Sequence, residues 1–159
     1  RTARALDSTA AIAAIELGLP PQATPRDIEH WVRAVREGCM LPLLVKLPLG
    51  AIEEMAEGVA KTPADGLVIG SPPPGTALVQ SSGEMVRGNL YGPALHSTVL
   101  RQVQIIREFV DVPIIAVGGI HSLADAQAFL AAGSVAVQID SLLWVEPQLA
   151  GDIALALHT

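Results

Sequence analysis

The chain predicts an α/β fold of repeated βα units, and three observations carry that expectation. Short β-rich runs recur at 12–17, 42–47, 66–69, 113–117 and 134–139. They are apolar on both faces, as parallel strands covered on both sides must be. Stretches of helical period separate them, at 25–37, 50–61, 94–109, 122–132 and 147–157, and a leading helix is expected at 2–9. Strand and helix alternate without interruption, which favours a parallel sheet with right-handed crossovers. Two architectures fit: an open doubly wound sheet, or part of a (β/α)8 barrel, whose complete form takes about 250 residues. With 159 residues, only five of eight barrel strands are accounted for.

Each helix carries its own signals. Thr24 stands before Pro25 as an N-cap, and the helix keeps Ile28, Val32 and Val35 on one face with Arg26, Glu29, Arg33 and Arg36 outward. Ser122 caps the fourth main helix and Gly133 ends it. The long connection 71–93 far exceeds the roughly two to six residues of an ordinary βα loop. Within it, 76–80 and 84–87 flank Ser81, Ser82 and Gly83, the pattern of a small hairpin inserted after the third strand. Such an insertion is expected to lie over the strand ends as a lid or wall.

Composition excludes several function classes. Charged residues are 16% of the chain and hydrophobic residues 50%, which argues for a substantial core. A net charge of -6 and five aromatic residues make nucleic acid a poor partner, since phosphate binding needs a basic surface and strand binding needs stacking platforms. The longest apolar run, 10–15, is far shorter than the roughly 20 residues of a membrane span. A lone Cys39 suits a reducing compartment, so a cytoplasmic protein is expected. The chain starts in a helical pattern without Met, which reads as a fragment or a processed polypeptide.

Candidate site residues gather where the strands end. Lys46, one of only two lysines, lies in the apolar run at 43–47. There it must find an anion or reach water. Gly118 and Gly119 follow a strand and precede a capped helix, so their amides can face an anion. Asp140 and Ser141 end the next strand and bring a second loop beside the first. His30 and His158 are expected on solvated helix positions. His96 and His121 fall near the site face but have no acid or nucleophile partner by spacing, and read as structural. Glu16 is expected to be the only acid inside a strand, and Cys39 to be packing at the amino end. No metal-ligand spacing is found, so no metal is expected.

These residues resemble a known family over nearly the whole chain. IEL at 15–17, LVKLP at 44–48, ADGL at 64–67 and GNLYGPAL at 88–95 are similar to segments of the FMN-dependent dihydroorotate dehydrogenases and their dihydropyrimidine dehydrogenase relatives. VPIIAVGGI at 112–120, with ADA at 124–126 and AGSVAVQ at 132–138, is the most specific part and resembles the phosphate-binding end of that barrel. The resemblance implies an incomplete (β/α)8 TIM barrel: strands 4 to 8, with residues 1–159 forming a single partial barrel domain. It implies FMN held by Lys46 at the ring, Gly92 along the ring edge or ribityl side, and Gly118, Gly119 and the Asp140–Ser141 turn at the phosphate. Ser71 is the nearest polar group for a substrate ring. The implied activity is an oxidoreductase of pyrimidine metabolism acting on a CH–CH group, with hydride passing from a dihydropyrimidine-type small molecule to flavin.

Three positions depart from the family pattern. GLPPQ at 18–22 replaces the loop that carries an asparagine, a cysteine or serine base and a Pro-Asn pair, so the catalytic residue is unknown. The third strand lacks an asparagine near Ser71, and Asp140 stands where a phosphate-turn glycine is expected. These departures keep two other readings open: an inactive member serving binding or assembly, and a phosphate-binding barrel enzyme of other chemistry. Open sheet edges predict a homo-oligomer or pairing with a missing amino-terminal half-barrel.

Overall fold

A computed structural model describes residues 2–50 and 52–157. Five strands form one parallel sheet: β1 (Ile15–Gly18), β2 (Leu43–Leu47), β3 (Gly66–Ile69), β6 (Ile114–Val117) and β7 (Ala136–Gln138). Their order in the sheet follows the chain, β1-β2-β3-β6-β7. A doubly wound sheet reverses its order at a switch point; this one never does, so the winding is that of a barrel.

The two faces differ as barrel geometry requires. Leu43, Val45, Leu47, Leu67, Ile69, Ile114 and Ala116 point outward into one core with residues of the helices α2 (Pro25–Arg36), α3 (Glu53–Ala60), α4 (His96–Arg107), α5 (Leu123–Ala131) and α7 (Pro147–Leu157). The opposite face carries Glu16, Lys46, Val68, Ile115, Val117 and Gln138, by the pairing register. There Gln138 Nε2 donates to Glu16 Oε2 at 2.9 Å, joining the first and last strands of the order. A flat sheet would keep these edges far apart. Strands four places apart stand opposite each other in an eight-stranded barrel, so this bond marks a sheet curled into an arc of that barrel. The fold is an incomplete barrel.

Local signals place the helices. Thr24 Oγ1 accepts from the Asp27 amide while Asp27 Oδ2 accepts from the Thr24 amide, a reciprocal cap ahead of Pro25. Ser122 Oγ accepts from the Asp125 amide at 3.2 Å and opens α5. No helix among the described residues is long and apolar enough to cross a membrane.

Several boundaries differ from expectation. β1 begins at Ile15, not at residue 12, because β2 offers no partner before Leu43 and Ala11, at φ 75°, turns the chain first. The leading helix α1 is Thr2–Asp7, and α3 starts only at Glu53. A 3-10 turn, Pro93–Leu95, precedes α4. β7 covers only Ala136–Gln138, and the chain then forms an unexpected short helix, α6 (Leu142–Val145). His158 lies outside the described residues.

The hairpin consists of β4 (Pro74–Val79) and β5 (Glu84–Asn89), antiparallel, with the Gly83 amide donating to Val79 O at 2.8 Å in the turn. Its two flanks, Pro72 and Tyr91, line the cleft at the strand ends. β5 is exposed throughout, and among the described strands β4 and β5 pair only with each other. The hairpin leaves Leu78, Met85 and Val86 exposed, and its base is tied by Leu90 N to Pro73 O at 2.8 Å. Glu84 opens β5, so Glu16 is the only acid of the five-stranded sheet but not of all strands.

The amino end of the sheet is built for stability. Asp65 Oδ2 accepts from the Leu43 amide at 2.7 Å and from Arg36, whose guanidinium also donates to Leu41 O and Pro63 O. The Leu43 hydrogen bond chiefly holds the Asp65 carboxyl below its usual pKa, against the opposing effect of burial and with further help from Arg36. A depressed folded pKa stabilises above the ordinary carboxylate range, and that contribution is lost as pH falls through the folded value. Because the Asp65 side chain is about half exposed, water screens the pair, and Arg36→Ala is expected to cost about 1 kcal/mol at pH 7 and less at pH 3, read from urea midpoints at both pH values. Cys39 is buried, as expected, and its thiol donates to Asp7 Oδ1 at 3.2 Å.

Candidate functional site

A cleft opens at the carboxyl end of β3, β6 and β7. Gly70 and Pro72 form one wall, Tyr91, Gly92 and Leu95 a second, and Val117, Gly118, Gly119, Ile120, Asp140 and Ser141 the rest. Five of the seven expected site residues, Gly92, Gly118, Gly119, Asp140 and Ser141, thus meet in one place. Ser71 does not line the cleft, although both its neighbours do; its amide donates to Leu47 O at 3.4 Å.

The glycines act in different ways. A Cβ on Gly119 would stand 2.4 Å from His96 N, so this glycine lets the β6 loop close onto the start of α4. A Cβ on Gly92 would meet nothing within 4 Å, so the space beside it is open. Among the described residues the amides of Gly118, Gly119 and Ser141 donate to no main-chain carbonyl and no side chain, although all three line the cleft. Amides without partners in a glycine-walled cleft suit a phosphate, which accepts several hydrogen bonds and needs close backbone approach. Asp140 is the single acid in the lining and works against an anion.

Lys46 lies apart from this cleft, on the inner face of the sheet. Its Nζ is 3.3 Å from Glu16 Oε1, and its side chain is 19% exposed. The anion that a lysine in this strand requires is therefore supplied by the neighbouring strand. Gln138 completes the group through the other Glu16 oxygen.

The His96 ring does have an acid beside it, contrary to the reading from spacing, whereas His121 reaches the same acid only through its main-chain amide. Asp125 Oδ2 accepts from the His121 amide at 3.0 Å and from Ser122 Oγ at 2.8 Å, and Oδ1 is 3.8 Å from His96 Nε2. Burial raises the Asp125 pKa, but the bonds from Ser122 and His121 and the nearby His96 outweigh it and leave the carboxyl below its usual range. The ring of His121 places Nε2 3.2 Å from Ser141 Oγ. A signal for this cluster was present: Ser122 and Asp125 have the three-residue spacing of a helix cap, which draws the acid back toward His121.

The loop after β1 holds no cysteine or serine. Its Leu19 is buried and its amide donates to Lys46 O at 2.9 Å. Trp144 of α6 packs edge-on against Tyr91, with ring centroids 5.0 Å apart, beside the cleft.

Comparison with known proteins gives the family of the chain. A sequence profile described as dihydroorotate dehydrogenase matches residues 18–159. The catalytic subunit of dihydroorotate dehydrogenase B (NAD(+)) from Petrotoga mobilis is 36% identical over 77% of this chain and 43% of its own length. That from Geobacter sulfurreducens is 33% identical over 96% of this chain and 55% of its own length, and that from Staphylococcus carnosus 31% over 91% and 48%. The chain spans about half the length of these curated relatives. Over that half, a sheet wound as a barrel arc and a glycine-walled cleft at its carboxyl end accompany the sequence match: the chain belongs to the dihydroorotate dehydrogenase family.

Proposed function

We propose that this chain is the carboxyl-terminal five βα units of a flavin-binding barrel, and that it takes part in oxidising a dihydropyrimidine-type substrate with FMN. The observation that carries this reading is the cleft in which the unpartnered amides of Gly118, Gly119 and Ser141 meet, at the same end of the sheet as Lys46. The amides would take the phosphate, and the open space beside Gly92 leaves room for the chain that follows it. Lys46 would contribute positive charge where the reduced ring becomes anionic. FMN supplies the hydride-accepting chemistry when bound. Ser71 is the polar group nearest the position expected for a substrate ring.

One observation favours a second reading, a member that binds without turning over. The residues at 18–22 supply no thiol or hydroxyl that could remove a substrate proton. The two readings separate in one experiment on the full chain together with any further segments of the native polypeptide. FMN is added, excess is removed, and the absorbance near the flavin bands is followed before and after anaerobic dihydroorotate. Retained yellow colour that bleaches supports the active reading, and retained colour without bleaching supports the second. A colourless protein rejects both.

A further inference from the structure

Asp125, His121 and Ser141 form a hydrogen-bonded chain that ends in the cleft wall. Asp125 Oδ2 accepts from the His121 amide at 3.0 Å, which pins the loop after β6 to the first turn of α5. The pinned loop holds His121 Nε2 3.2 Å from Ser141 Oγ. Ser141 lines the cleft, and its hydroxyl has a single proton to give. Two arrangements are open to this pair. When Nε2 lacks a proton, the hydroxyl donates to the ring and turns its proton away from the cleft. When Nε2 carries a proton, the ring donates to Oγ and the hydroxyl proton is released toward the cleft. An anion in the cleft gains a donor only from the second arrangement. The need for one is greater here because Asp140, beside Ser141, opposes an anion.

We propose that His121 is a positioning residue: its Nε2–H donates to Ser141 Oγ and so aims the serine hydroxyl at a phosphate group in the cleft. This rests on the phosphate reading of the cleft given above, and it assigns a side-chain donor that the glycine backbone does not supply.

FMN and riboflavin, which differ only in the phosphate, are the probes. Affinities are measured by flavin fluorescence on the full chain with any further native segments, for wild type, His121→Ala, Ser141→Ala, the double variant and His121→Gln. Either single alanine is expected to weaken FMN about tenfold and the double variant no further, because both remove the same donor. Riboflavin affinity stays unchanged. Glutamine, whose amide can also donate to Oγ, keeps FMN affinity within about threefold of wild type. Additive losses, equal losses for riboflavin, or a Ser141→Ala protein that binds FMN as wild type does would overturn the proposal while leaving the flavin reading intact. A wild type that binds riboflavin as tightly as FMN removes the phosphate reading together with it, and one that binds neither removes the flavin reading as well. Thermal midpoints are recorded for every variant; if His121→Ala does not fold, Ser141→Ala and His121→Gln still decide the outcome.

Discussion

Gly70→Ala is expected to cost about 3–5 kcal/mol of stability, more than any other single methyl group added at the cleft. Two effects add. At φ 119° an L side chain is strained, which alone costs about 1–3 kcal/mol. The new Cβ would also stand 1.7 Å from Val117 O and 2.8 Å from Val117 C. These are main-chain atoms at the end of β6, and they cannot yield without parting β6 from β3, whose register runs from Leu67 and Ile114 to Ile69 and Ala116. Gly92→Ala is the control, because its φ is 111° but its Cβ would meet nothing. It should cost only the conformational part, about 1–3 kcal/mol. Urea unfolding of both variants beside wild type tests this. Equal losses would show that Gly70 and Val117 are not in close main-chain contact.

That contrast explains what could be read from sequence and what could not. Parallel strands on both-face apolar runs were legible because the outer face, with Val45, Leu67 and Ile114, and the inner face, with Val68 and Val117, both need apolar groups. Caps at Thr24 and Ser122 were legible because each is a local hydrogen bond three residues long. Strand starts were not, since Ile12 to Ile15 carries the same apolar character whether or not β2 offers a partner. Glycine identity marked the cleft at Gly92, Gly118 and Gly119, but a one-dimensional pattern does not separate a glycine that admits a ligand from one, such as Gly119, that admits the backbone of α4. The approach of His96 to Asp125 also needed the fold, because it joins residues 29 positions apart. The hairpin was legible because its pairing is local, from Pro74 with Asn89 to Val79 with Glu84.

Lys46 and Glu16 lend themselves to a test in which opposite outcomes are expected from neighbouring substitutions. Nζ of Lys46 is held 3.3 Å from Glu16 Oε1, and Glu16 Oε2 accepts from Gln138. Removing either charge leaves the other short of a partner, but the Glu16 side chain is 33% exposed, so water softens the loss. Lys46→Met keeps the stem and should cost only about 1 kcal/mol of stability. Its expected effect on flavin is larger, a weakening of at least about tenfold, or 1.4 kcal/mol. Glu16→Gln keeps a hydrogen-bond acceptor for the ammonium and removes the competing negative charge, so the full cation faces whatever binds at this end of the sheet. A cation near the ring favours the reduced, anionic form. The reduction potential of bound FMN should therefore fall in Lys46→Met and rise in Glu16→Gln, measured by spectroelectrochemistry with a reference dye. Shifts of the same sign would place the flavin ring away from Lys46. Lys46 would then be a structural lysine whose whole purpose is to hold β1 to β2 across the inner face.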